Sequence, residues 1–575
     1  MKCLTLFVRP GWDRSVGTAS KIVAVLMFFF VGGINLVAQD ESSATVFVNA
    51  TVLPVDEEFS QHEALAIRGN QILAVGDRES VLKQAGDNPV IIDARGKTIL
   101  PAFIDAHTHP VAGGGAATLF EPVGQHKFKS VEQALDHMVQ IGRSSGEDDW
   151  LLFRDVDLAT QTFEEDTVTT KHLDRVSQKT PVMLWHAGGH VATANSRMLQ
   201  IMGVSAETPD PPGSSYGRFD DGSPNGMLYG GGAIFSALQK TKPYADYKQV
   251  PGTIELSKKW VAQGVGTFGV AGIGNTLGVE EWGIFKELAK RDEFPIRTRI
   301  YLYASMLEKW DRAGIEPGDG DQAARVVGYK ISVDGSNQAK TGFQRAPYPG
   351  TESRGLEYMT EDEVIQTVFN ISRRGHQLAM HGNGDAAIDR IIRAVAAARA
   401  DGLSVVRPRI EHCSIVQDDQ LEKLVQHEIS GSFLIAHVRD WGKAFRDDVF
   451  GLEKAEKLDR AGSFQRRGIP FSLHTDFSVS ELSPLEMVEV AVTRKLFAEP
   501  DYVLGKQECS SVEVALRGVT SVAAWQLQSE KEIGSLEAGK LADLVILEDD
   551  PRKVAPEEIG EIKVLETWIG GKKVF

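Results

Sequence analysis

Two histidines separated by one residue, His107 and His109, end the segment KTILPAFIDAHTHP. The stretch before them is apolar and bounded by Gly96 and Pro101, so it reads as a buried strand. Side chains at i and i+2 of a strand point to the same side, so this H-x-H aims two imidazoles into one space, with Asp105 on that side too. Neutral imidazoles so placed are natural ligands for a divalent metal. An isolated H-x-H is structural more often than not. The chemistry gains weight from four further residues: Lys330 in VVGYKISVDG, His381 in LAMHGNGDAAID, His412 in PRIEHCS and Asp476 in IPFSLHTDF.

The elements that must carry these residues alternate. Apolar runs predict strands over Thr98–His107, Gly264–Val270, Arg297–Tyr303, Arg325–Val333, His376–His381, Pro408–Cys413, Ile429–Ala436 and Ile469–His474. Between them, Thr360 with Glu363, Ser483 with Glu486 and Ser510 with Glu513 form capping boxes that start helices, and Asp385–Ala400 has helical periodicity. Eight strand–helix units of this length predict an α/β fold, a (β/α)₈ TIM-type barrel. Such barrels place their chemistry at the C-terminal ends of the strands. His107 and His109 end strand one, Lys330 lies late in strand four, His381 ends strand five, His412 ends strand six and Asp476 follows strand eight, so all converge on one mouth. Lys330 sits in an apolar stretch, where a buried ammonium needs a partner.

The motifs PAFIDAHTHP, KISVDGS, LAMHGNGDAAID, RIEHCS and GSLEAGKLADLVILEDDP resemble the amidohydrolase superfamily. More narrowly they resemble the branch of N-substituted formamide deformylases and related uncharacterised metal-dependent hydrolases. The resemblance implies that His107, His109 and Asp476 hold one metal, that His381 and His412 hold a second, and that a carboxylated Lys330 bridges them. Ligands of this mix suit two zinc ions, with manganese, iron or cobalt also compatible. In the implied mechanism a metal-activated water attacks a carbonyl, and Asp476 is the catalytic acid–base.

Both chain ends alternate like β-hairpins, and the resemblance implies that residues 39–97 and 530–575 form a small β-sandwich beside a barrel of residues 98–529. More than 150 residues separate strands one and two, far beyond an ordinary loop. An inserted subdomain is therefore expected at about residues 145–255, preceded by a helix over Ser130–Ser144 with a Ser130/Gln133 cap. Within it, LWHAGGHVATANS supplies His190 and Asn195 as candidate substrate-binding residues. His437 and Trp441, after strand seven, are two more. Two features depart from the branch. Gly269 and Val270 stand where relatives carry a His-Asp pair at the end of strand two, and Tyr229-Gly230-Gly231-Gly232 replaces a motif with a glutamate.

The net charge of −17 over 575 residues argues against nucleic acid as a partner. Lys2, Arg9, Arg14 and Lys21 precede the 17-residue apolar run Ile22–Ala38, which reads as an export signal cleaved after Ala38. The expected protein is periplasmic or secreted, touching a membrane only if that segment is retained. Cys413 and Cys509 permit but do not require one disulfide. A small-molecule substrate is expected, and a homodimer is compatible. Competing with a hydrolase of amide or other non-peptide C–N bonds are an isomerase or lyase on the same metal site, and a non-catalytic binding protein.

Overall fold

The computed structural model describes residues 43–575 except 147, 212, 213 and 276; the export-signal reading falls outside the described residues. Eight parallel strands form the central sheet: β1 (Phe103–Thr108), β2 (Val265–Ile273), β3 (Arg297–Tyr303), β4 (Ala324–Ser332), β5 (Gln377–Gly382), β6 (Val406–His412), β7 (Ser430–Phe433) and β8 (Phe471–Leu473). Their spatial order follows the sequence from β1 to β8. Helices fill most of the crossovers, among them Glu361–Arg373 and Asp385–Ala400. The fold is thus the expected α/β barrel.

The barrel closes just past the end of β8. The amide of Asp476 donates to the carbonyl of His107 at 3.0 Å, and that of His109 donates to the carbonyl of Phe477 at 3.0 Å. A parallel bridge joins Thr108 to Phe477. At the opposite end, Arg297 forms a bidentate pair with Asp543 at 2.6 and 2.9 Å, fastening β3 to the C-terminal segment.

The expected single strand Thr98–His107 is two strands. Thr98–Pro101 pairs with Thr51–Val52 and with Leu544–Leu547 in a five-stranded sheet outside the barrel. The chain then turns at Ala102, whose amide donates to the Asp543 carbonyl, and enters β1. Apolar residues run through both pieces, so hydropathy alone does not show the break. A four-stranded sheet built from residues 45–93 packs on the five-stranded one around Phe47, Ile67, Ile99, Leu544 and Trp568. The capping boxes at Thr360 and Ser483 form as expected. The third helix starts one residue later, capped by Ser511 rather than Ser510.

Between β1 and β2 lies a further mixed sheet of six strands. It includes Leu151–Val156, Val182–His186, Val191–Ala194 and Pro224–Tyr229. The helix Val131–Arg143 packs on it through Val131, Ala134, Leu135 and Met138. Gly269 in β2 is explained by close approach: a Cβ there would lie 2.2 Å from the Ala106 carbonyl oxygen of β1. A side chain has no room at Gly269, which lies in the middle of β2 and not at its end.

Candidate metal centre

The barrel mouth gathers the residues that the sequence singled out. Asp476 Oδ1 lies 3.3 Å from His107 Nε2 and 3.2 Å from His109 Nε2, and its Oδ2 lies 3.8 Å from His412 Nε2. Ligand atoms of His107, His412 and Asp476 all fall within 4.8 Å of one another. The rings of His381 and His412 meet edge-on with centroids 4.5 Å apart. A tetrahedral ion with metal–ligand bonds of about 2.0–2.1 Å separates its ligands by about 3.3–3.4 Å, so the two nitrogen–oxygen spacings at Asp476 fit such an ion. The buried Nδ1 of His412 has no hydrogen-bond partner among the described residues.

Backbone conformation delivers these groups. His412, Cys413 and Asp476 adopt left-handed φ angles of 64°, 50° and 51°. Adjacent residues of a regular strand face opposite sides. The turn at His412 therefore lets Glu411 and His412 both serve the barrel interior. Such strained residues persist only where surrounding structure fixes them.

Behind the imidazoles stand carboxylates. Glu411 Oε2 lies 2.7 Å from His107 Nδ1, leaving Nε2 turned to the site. Arg409 pairs with Glu411 at 2.6 Å. Burial would raise the Glu411 pKa, but Arg409, His107 and Lys330 outweigh it and hold the carboxyl well below its ordinary range. Asp334 plays the same part for His381: its Oδ1 is 3.4 Å from His381 Nε2, which also meets the Gly335 carbonyl at 3.1 Å. That leaves Nδ1 as the nitrogen available to a ligand. Asp334 further accepts from the amides of Phe343, Asn383 and Gly384 at 2.8–3.0 Å. Replacing Asp334 by Ala is expected to destabilise the fold by about 3 kcal/mol, because buried amides lose their acceptor. It should also weaken metal binding about 10–100-fold. Denaturant unfolding and metal titration of the variant check this.

Burial, followed by Lys330, lowers the His107 pKa; burial, followed by His381, lowers that of His412 strongly. Both imidazoles are therefore neutral, as metal ligands must be. An ordinary histidine would be protonated below pH of about 6.5, so here protons compete with metal only in more acidic solution. At these two ligands, proton competition should therefore set in below the ordinary histidine pKa of about 6.5, read as metal content by elemental analysis after dialysis across a pH series; retention no better than in a His412→Asn comparison would contradict the shift.

Lys330 is buried late in β4. Burial lowers its pKa to about 8 against the opposing pull of Glu411 and Asp476. His474, stacked on His107 with centroids 4.6 Å apart, is fully buried with neither ring nitrogen hydrogen-bonded among the described residues. Tyr303, at the end of β3, feels the charge of Asp476; burial pushes its phenol up to about 12, keeping it a proton donor.

The substrate-binding candidates separate. His190 lines a cavity of about 420 Å³ with Ser336 and Gln338. Burial lowers its pKa to about 4, and His381, Asp476 and His109 act on it electrostatically, so it stands at the mouth. Trp441 lines a second cavity, of about 390 Å³. Asn195 does not reach the site. It caps the helix Ser196–Met202, accepting from the amides of Met198 and Val182 and donating to the carbonyls of Ser177 and Thr180, so all its hydrogen-bonding capacity is engaged. His437 is likewise a buried support, 3.3 Å from Ser414 Oγ and 3.7 Å from Asp459. Glu411, Asp334, His474 and Tyr303 went unread in the sequence.

The chain has relatives among known hydrolases. The chain is similar to the N-substituted formamide deformylase of Arthrobacter pascens, 26% identical over 92% of this chain and 97% of that one. It is similar also to the putative amidohydrolase YtcJ of Bacillus subtilis (strain 168), 24% identical over 90% of this chain and 97% of that one. The fold is similar to that of an uncharacterized metal-dependent hydrolase from Pyrococcus furiosus, with a TM-score of 0.67 and 24% identity over 89% of this chain and 100% of that one. The model of the Amidohydrolase family matches residues 90–575, all of the barrel included, and the chain belongs to that family.

Proposed function

We propose that this protein is an exported, zinc-dependent hydrolase that cleaves an amide or formamide bond in a small organic molecule. Family membership makes it a metal-dependent hydrolase of carbon–nitrogen bonds other than peptide bonds. The observation that carries the narrower reading is the orientation of Asp476, with one oxygen against His107 and His109 and the other directed toward His412. A bound divalent metal would polarise the substrate carbonyl and acidify water.

The protein's own groups supply the rest. Burial raises the Asp476 pKa, but His107 and His109 outweigh it and hold the carboxyl well below its ordinary range, so it is ionised and able to accept a proton. Its Oδ2 takes the proton of the attacking water and returns it to the leaving nitrogen. His190 and Tyr303 offer polar contacts at the mouth for the substrate carbonyl. The name of the deformylase relative supports a formamide. The basic and apolar N-terminal stretch supports export.

Carboxylation of Lys330 belongs to this reading. Only a neutral amine adds carbon dioxide, and a pKa of about 8 leaves a usable neutral fraction. Replacing Lys330 by Ala should remove at least one metal equivalent, and a short carboxylic acid should restore part of the activity. Full metal content in that variant would exclude a bridging role. The hydrolase reading itself is tested by release of amine and formate from a panel of N-alkylformamides by the zinc-loaded protein. Turnover of none of them, nor of the corresponding acetamides, would refute the substrate class.

A further inference from the structure

Ser478 and Val479, which follow Asp476 in the chain, form part of the wall of the cavity lined by Trp441. It shares Asp157 and Ala187 with the cavity that contains His190. A volume of about 390 Å³ suits a small organic group. Its charges do not cancel. Arg154 is bound by Asp155 and Glu481 at 2.7 and 2.9 Å, and Arg439 by Glu486 at 3.3 Å. Lys127 pairs with Glu121, outside the cavity, at 3.0 Å. Asp157 and Asp440 remain without a bonded cation.

Asp440 is the telling group. It is 7% exposed, and its Oδ1 has no hydrogen-bond partner among the described residues. The nearest basic nitrogens, His126 Nε2 at 3.7 Å and Arg439 Nε at 4.0 Å, lie beyond hydrogen-bonding distance. A buried carboxylate left in this state is costly unless something completes it. Among the described residues, the Asp157 carboxylate receives only the indole N–H of Trp441 and the amide of Ala159. An indole bonded to one carboxylate, in a cavity that a second carboxylate also lines, is a setting that can receive an organic cation. A bare metal ion fits poorly, since among the described residues these carboxylates form no group of three ligand atoms within 4.8 Å.

We propose that this cavity is a subsite for a protonated amine, with Asp440 and Asp157 accepting its N–H bonds and Trp441 packing against its alkyl chain. Resting on the hydrolase reading, this names the substrate class: small amides that carry a second, cationic nitrogen a few carbons from the scissile bond. Burial raises the pKa of both carboxyls, to about 6 for Asp157, so each gains from a cation's approach.

The test separates binding from turnover. Titration calorimetry at neutral pH would compare pentylammonium, which cannot coordinate a metal while protonated, with 1-pentanol on the zinc-loaded protein. The ammonium should bind at least about tenfold tighter, and both Asp440→Asn and Asp157→Asn should erase most of that preference. Thermal melting would show that each isosteric variant is folded, and one folded variant suffices. Equal binding of the two probes, or a preference intact in a folded variant, would overturn the subsite. Hydrolysis of N-formyl-1,5-diaminopentane and N-formylpentylamine is read separately. Failure to cleave either would count against the formamide reading and leave the binding result standing.

Discussion

Replacing Asp476 by Asn should lower kcat/KM by about three orders of magnitude or more while leaving the barrel closed. General acid–base catalysis by one side chain contributes about 10²–10⁴-fold, and the same carboxylate meets His107 and His109. An amide in its place cannot accept a proton and is a poorer metal ligand. The backbone bond from residue 476 to the His107 carbonyl does not involve the side chain, so folding should survive. Kinetics on the metal-loaded variant, with its melting temperature, decide the matter. Activity within tenfold of the parent would remove Asp476 from the mechanism.

The second large effect belongs to Glu411, a residue outside the implied ligand set. It neutralises Arg409, which is fully buried, and fixes the ring of His107. Replacing Glu411 by Gln strands a buried guanidinium, and breaking a buried pair in this way costs about 3–5 kcal/mol. The ring of His107 also loses the partner that orients it, which should weaken metal binding by a further 10–100-fold, roughly. Urea unfolding of the metal-free variant reads the first effect, and competition with a chelator reads the second. A variant as stable as the parent would show that Arg409 finds its compensation elsewhere.

The contrast between these residues shows how far the chain could be read in advance. His107, His109, Lys330, His381, His412 and Asp476 were legible because strand ends place chemistry at a barrel mouth, and apolar runs mark strand ends. Glu411 was hidden by the rule that exposed the others. Strand alternation sends it away from the face of His412, and only the left-handed φ of His412 brings both inward. Asp334 was hidden because its work is to receive amides from Phe343, in the same connection, and from Asn383 past the end of β5, a relation that no local pattern records. Asn195 misled in the other direction, since an asparagine before a helix is first of all a cap. The split of Thr98–His107 between two sheets was invisible because both halves are equally apolar.

The seam between β1 and the end of β8 carries a consequence for folding. It joins Asp105 to Thr475 across 370 residues of chain, with Thr475 Oγ1 donating to Asp105 at 2.5 Å, and the same turn presents Asp476 to His107. Contacts between such distant residues form late, because loop closure must precede them. A chain that has not yet emerged to its last strand therefore holds no complete ligand set and cannot capture metal tightly. Once the seam is made, metal binds only the closed form and stabilises it by mass action, by about 4 kcal/mol at a thousandfold excess over Kd. Metal supply thus bears on how firmly the seam stays closed: metal-free protein should melt at a lower temperature than the metal-loaded form.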